Sequence, residues 1–65
     1  MIKTIAENMK KCRIELRMTQ QDVADKCGLF RASYTRIESG THDFRISTLD
    51  RIAKALQVNP VDLLN

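Results

Sequence analysis

Gly28 and Gly40, the only two glycines of this 65-residue chain, set its most constraining pattern. Each follows a short amphipathic stretch, at the position past a last helical turn where glycine enters the left-handed backbone region without strain. Thr19 stands before the first stretch as an N-cap. Asp22, three residues on, lies near the positive end of the helix dipole. Val23, Ala24 and Cys27 give this stretch an apolar face. The second stretch, expected over Arg31 to Ser39, has Phe30, Tyr34 and Ile37 on one stripe at spacings of four and three. The pattern is thus two short helices joined by a tight turn at Cys27-Gly28-Leu29. So small a turn lets the pair cross steeply, and the second helix protrudes.

Three further helical signals surround this pair. A first helix is expected from about Thr4 to Arg17, with Thr4 and Glu7 at capping-box spacing. Its stripe runs through Ile5, Met9, Cys12 and Leu16. Residues 41 to 46 read as a polar loop. Ser47 then opens a fourth helix with Asp50 three residues on, and Leu49, Ile52, Ala53 and Leu56 fall at i, i+3, i+4 and i+7. Asn59 caps a final turn, with Pro60 at the first helical position, where its missing N–H costs nothing. Val61, Leu63 and Leu64 complete that turn. No segment reads as a strand. The expected fold is all-α, a compact five-helix bundle in one domain over residues 1–65, with its turn-helix core at 19–40.

A chain of this size buries only roughly 60% of its unfolded surface, so it needs compact packing or a partner. Cys12 and Cys27 are its two cysteines, neither a disulfide framework nor a zinc pattern, and they read as small core residues. No signal peptide and no membrane-length apolar run is present, so the chain reads as intracellular with reduced thiols. There is no His–carboxylate–nucleophile set, no phosphate-cradling glycine loop and no metal cluster. An enzyme, a metal site, a cofactor and a small-molecule ligand are therefore not expected. The formal charge is +3, unevenly spread. Residues 1 to 36 hold eight Lys/Arg against four Asp/Glu, and residues 37 to 65 hold three against four. That split suits a polyanion on one side, although a solvated basic surface would look the same.

A protruding helix fits the major groove of B-form DNA, roughly 12 Å wide. Arg31, Ala32, Thr35 and Arg36 share an arc of roughly 140° on the outer face at 100° per residue. Arginine can donate two hydrogen bonds to the O6 and N7 of guanine. Small residues let the backbone approach, and their methyl groups can meet a thymine methyl.

The segments TQQDVADKCG, LFRASYTRIESG and STLDRIAKALQV resemble the phage-repressor/Cro-type helix-turn-helix (XRE) family of bacterial DNA-binding regulators. The resemblance runs from residue 5 to residue 64. The spacing of Gln20, Ala24, Gly28, Ile37, Glu38 and Gly40 fits without a gap. It implies a lambda-repressor-like fold. It also implies that Arg31, Ala32, Thr35 and Arg36 face base edges or neighbouring phosphates. By the same resemblance Gln20 grips a phosphate and supports the recognition helix. Ser39, Gly40 and Thr41 lie where the backbone after that helix meets phosphates. Arg13 and Glu38 match a partly buried ion pair. His42 and Arg45 are assigned to phosphate contact, with plain surface positions as the alternative, and Asp43 beside them opposes a dense basic clamp.

Two positions depart from the family pattern. Phe30 replaces a capping Ser or Thr, and either packs under the helix or lies exposed against DNA; continuity with the Tyr34–Ile37 stripe favours packing. Tyr34 replaces an aliphatic residue, so its hydroxyl needs solvent, a partner or a phosphate.

The function this implies is sequence-specific transcription regulation on double-stranded DNA, in the bacterial cytosol at the nucleoid. A homodimer would read a near-palindromic operator, each recognition helix in one half-site. Val58, Val61, Leu63 and Leu64 are assigned to the dimer interface, the alternative being that they complete the monomer core. With no sensing domain in view, occupancy is expected to follow concentration or a partner. Restriction-modification controllers, phage regulators and plasmid regulators are the candidate systems, and DFRISTL looks somewhat like the controller group. A second reading is an antitoxin-type interaction module with secondary DNA autoregulation.

Overall fold

A computed structural model describes residues 1–65 as four α-helices and a terminal turn. They are α1 (Ile2–Glu15), α2 (Gln20–Cys27), α3 (Arg31–Glu38) and α4 (Ile46–Ala55), followed by a 3-10 turn at Pro60–Leu63. Met9 of α1, Val23 of α2, Tyr34 of α3, Ile52 of α4, and Leu56 and Leu63 beyond it are the largest fully buried side chains and form one core. No helix is long and apolar enough to cross a membrane.

Helix boundaries depart from expectation at both ends of α1. The Ile5 N–H already donates to the Met1 carbonyl at 3.0 Å, so Thr4 lies inside the helix and the Thr4–Glu7 box does not form. At the other end α1 stops at Glu15. Arg17 takes a left-handed backbone (φ 57), its N–H donates to Ile14 O at 2.9 Å, and the Met18 N–H donates to Arg13 O at 3.1 Å. This double hydrogen bond satisfies the last carbonyls of the helix. Gln57 closes α4 in the same way (φ 62), with its N–H on Lys54 O and the Val58 N–H on Ala53 O. The stop signal in the sequence is usually glycine, so an arginine and a glutamine gave no cue.

The start of α4 moves as well. Arg45, extended at ψ 155, is the N-cap, and its carbonyl accepts from the Thr48 and Leu49 N–H groups. Ser47 is therefore inside the helix. The apolar face is as expected, with Leu49, Ile52, Ala53 and Leu56 buried.

The fifth helix is only a 3-10 turn. Its backbone bonds reach back three residues, from Asp62 to Asn59 and from Leu64 to Val61, and Pro60 offers no N–H. The turn is held by Asp62 N–H on Asn59 O (2.9 Å) and by Asn59 N–H on an Asp62 carboxylate oxygen (3.1 Å). Asn8 of α1 donates from Nδ2 to the Leu63 carbonyl at 2.8 Å and ties this turn to the first helix. Leu63 is consequently 0% exposed and completes the core, which removes it from the assigned dimer interface. Val58 is half-buried and packs on the same core. Val61 and Leu64 remain at the surface.

Gly28 fixes the angle between α2 and α3. Its backbone is left-handed (φ 71), and a Cβ there would stand 2.6 Å from Arg51 Nη2. Arg51 Nη2 also donates to the Gly28 carbonyl at 3.1 Å, which pins the turn to α4. Gly28→Ala is expected to strain the backbone and displace Arg51, lowering stability by about 1–2 kcal/mol. Urea unfolding measures this directly.

Candidate nucleic-acid interface

Thr19 and Asp22 start α2 as a reciprocal cap. The Asp22 N–H donates to Thr19 Oγ1 at 3.0 Å, and the Thr19 N–H donates to Asp22 Oδ2 at 2.8 Å. The Thr19 backbone N–H, and then its hydroxyl, favour the charged form and hold the exposed Asp22 carboxyl below its ordinary range. After the Gly28 turn, α3 presents Arg31, Ala32, Thr35 and Arg36, all exposed. Its inner face carries Tyr34, Ile37 and Glu38, all buried.

A polar chain runs from beneath α3 to that outer face. Arg13 makes a forked pair with Glu38, from Nη2 to Oε1 at 2.8 Å and from Nε to Oε2 at 3.0 Å. Its Nη1 donates to the Met18 carbonyl at 2.9 Å, so one guanidinium ties α1, the loop before α2, and α3. Gln20 Nε2 donates to Glu38 Oε1 at 3.4 Å, and Thr35 Oγ1 donates to Gln20 Oε1 at 2.9 Å. The order of donors follows from charge. A carboxylate only accepts, so the Gln20 amide nitrogen faces it and the amide oxygen faces Thr35. Thr35 has thereby committed its one proton. It meets an approaching base with its methyl group or as a hydrogen-bond acceptor.

The Glu38 ionisation follows from the same contacts. Burial pushes its carboxyl up, but hydrogen bonds from Arg13 and Gln20, the adjacent Tyr34 hydroxyl and the charge of Arg13 outweigh burial and hold it below the ordinary carboxylate range. The hydrogen bond to Glu38 raises Arg13 correspondingly, against its own partial burial. Tyr34 is wholly buried, and its hydroxyl faces the Glu38 carboxylate without an aligned hydrogen bond. It reaches neither solvent nor a phosphate. Burial, with the close approach of the Glu38 carboxylate and then its charge, pushes that phenol far above its ordinary range.

Beyond α3 the residues assigned to phosphates form a short exposed ladder. Ser39 Oγ donates to the Arg36 carbonyl at 2.6 Å, Ser39 and Thr41 hydroxyls meet at 2.7 Å, and Thr41 Oγ1 meets His42 Nδ1 at 3.1 Å. With the Ser39 proton on Arg36 O, Thr41 donates to Ser39 and His42 Nδ1–H donates to Thr41. Arg45 is exposed at the start of α4.

Phe30 corrects an expectation. It is 84% exposed and packs under nothing. The residue is the N-cap of α3, extended at ψ 146, so the 100° helical step that would place it above Tyr34 does not extend back to it. Arg51 was not singled out in the sequence. Its role depends on a carbonyl 23 positions away, and no local pattern encodes that.

A helix-turn-helix family profile matches residues 9–63, from mid-α1 to the end of the 3-10 turn. The chain belongs to the helix-turn-helix family. Among relatives of this helix-turn-helix chain, an uncharacterised HTH-type transcriptional regulator, YqaE of Bacillus subtilis, is 43% identical over 83% of this chain and 47% of its own length. The control protein C.BamHI of Bacillus amyloliquefaciens is 40% identical over 74% of this chain and 59% of its own. The chain thus spans about half the length of these two relatives. The restriction-modification controller C.Esp1396I, solved as a tetramer on its natural 35-base-pair operator, superposes with a TM-score of 0.88 at 33% identity, covering 97% of this chain and 83% of that one. The controller C.AhdI of Aeromonas hydrophila shares the fold, with a TM-score of 0.91 at 21% identity over 95% of this chain and 94% of its own. In this chain the fold has four α-helices and a 3-10 turn in place of the five helices expected.

Proposed function

We propose that this chain is a sequence-specific transcriptional regulator that binds a near-palindromic operator as a homodimer, one α3 per half-site in the major groove. The observation that carries this is the outer face of α3. Two free arginines flank small residues there, on a helix held from behind by Arg13, Glu38 and Gln20. The likeness to C.BamHI and to C.Esp1396I on its operator supports a restriction-modification controller role, acting at the nucleoid of a bacterial cytosol. Residues 1–65 would act as one domain. Gln20, Ser39, Thr41, His42 and Arg45 would contact phosphates around the groove, with Arg31, Ala32, Thr35 and Arg36 at the bases.

The dimer surface we propose differs from Val58 and Leu63. Val61 and Leu64 stay exposed, and Leu64 borders an apolar cleft of about 350 Å³ that Met1, Ile2, Phe44, Ile46 and Pro60 also line. Ile46 is 85% exposed at its rim. A second copy covering this patch would remove several large apolar side chains from water at once. Ile46→Lys is expected to leave the fold intact and to monomerise the protein. Operator affinity then falls by at least tenfold, because one domain reads half a site. Sedimentation and fluorescence titration measure both. An Ile46→Lys protein that stays dimeric contradicts this surface.

A further inference from the structure

We propose that Phe30 is a specificity-determining residue that meets the C5 methyl group of a thymine in the major groove, beside the base-reading Arg31. The inference rests on α3 being the recognition helix. The chain has three aromatic side chains, and two belong to the core: Tyr34 is fully buried and Phe44 packs against it. Phe30 alone stands in water, 84% exposed.

The fold gains nothing from this phenyl group. It buries little area, and it occupies an N-cap with no side-chain cap hydrogen bond, where a Ser, Thr, Asn or Asp would stabilise the helix. Its extended backbone holds it off the core-facing stripe, at the leading tip of α3. When a recognition helix lies in the major groove, the residues at that N-terminal tip meet base edges. A phenyl ring has no donor for a phosphate. The apolar feature of an unmodified base in that groove is the thymine methyl. A protein partner is the weaker match. Of the other exposed large apolar residues, Met1, Ile46 and Leu64 gather around the cleft, while Ile14, Leu16 and Val61 lie outside it, and Phe30 does not line it.

The test uses a duplex selected by the wild-type chain from a random pool. Each thymine is replaced in turn by deoxyuridine, which removes only the methyl group. Wild type and Phe30→Ser are titrated against every duplex, and both are melted and sedimented. One thymine per half-site is expected to matter, with about fourfold weaker wild-type binding on its replacement and about fifteenfold when both half-sites are changed. Phe30→Ser should bind the parent duplex more weakly by the same factor and ignore that replacement. It should also melt a few degrees higher than wild type, because serine supplies the missing cap. Loss of affinity with gain of stability separates contact with DNA from a structural role. Equal affinities, or identical deoxyuridine profiles in both proteins, overturn the proposal while leaving α3 as the recognition helix. Loss of dimerisation in Phe30→Ser overturns it in favour of a protein contact. Absence of any sequence preference in wild type overturns both this inference and the reading of α3.

Discussion

Arg13→Ala is expected to lower the unfolding free energy by roughly 3–5 kcal/mol. A domain of this length has about 3–10 kcal/mol in total, so the variant sits at the edge of unfolding. The size of the effect comes from what is left behind. The Glu38 side chain is 3% exposed, and without Arg13 its carboxylate keeps only the 3.4 Å contact from Gln20 and the misaligned Tyr34 hydroxyl. The Met18 carbonyl loses its donor as well. Protonation supplies a check with a definite sign. In wild type the Glu38 carboxyl lies below its unfolded range, so its contribution is present above that range and is lost as pH falls through the folded value. In Arg13→Ala burial dominates and raises the carboxyl, so acid relieves the buried charge. The stability gap between the two proteins should narrow as pH is lowered from 7 towards 4. Urea unfolding across that range measures it, and a gap independent of pH would show that Glu38 does not carry the penalty. Replacing both partners together, Arg13→Met with Glu38→Leu, should recover most of the lost stability.

Arg31→Ala and Arg36→Ala are expected to behave oppositely, with the fold intact and recognition impaired. Each removes a guanidinium from the exposed face of α3 that no side chain in the domain holds. Discrimination between the preferred operator and single-base variants should fall by about 1–3 kcal/mol, concentrated at one base pair per half-site. Binding to unrelated DNA should weaken far less. Competition titrations at fixed salt separate the two, because phosphate contacts alter the salt slope and leave base preference unchanged. Unaltered preference in both variants would mean that these arginines touch only the backbone.

The legible parts of this molecule were those encoded over short distances. The Thr19–Asp22 cap, the Gly28 and Gly40 stops and the Leu49–Leu56 face follow from side-chain chemistry within one or two helical turns. The ends of α1 and α4 did not, because Arg17 and Gln57 occupy left-handed positions where glycine is the usual marker. Phe30 misled for a related reason, since helical spacing was extended across an N-cap that is not helical. Leu63 looked free for a partner only while the Asn8 contact, 55 positions away, was unseen. The Arg13–Glu38 pair was legible through family resemblance. Its extension through Gln20 to the Thr35 hydroxyl needed the fold, and it changes what Thr35 offers to a base.

Selection of duplexes from a random pool by the wild-type chain, followed by sequencing, shows whether two copies of α3 read paired half-sites. One enriched, near-palindromic site is expected, with half-site centres one DNA turn apart, roughly 34 Å, or a small multiple of it. An unchanged pool, or an enriched site with no repeated half-site, would contradict that reading.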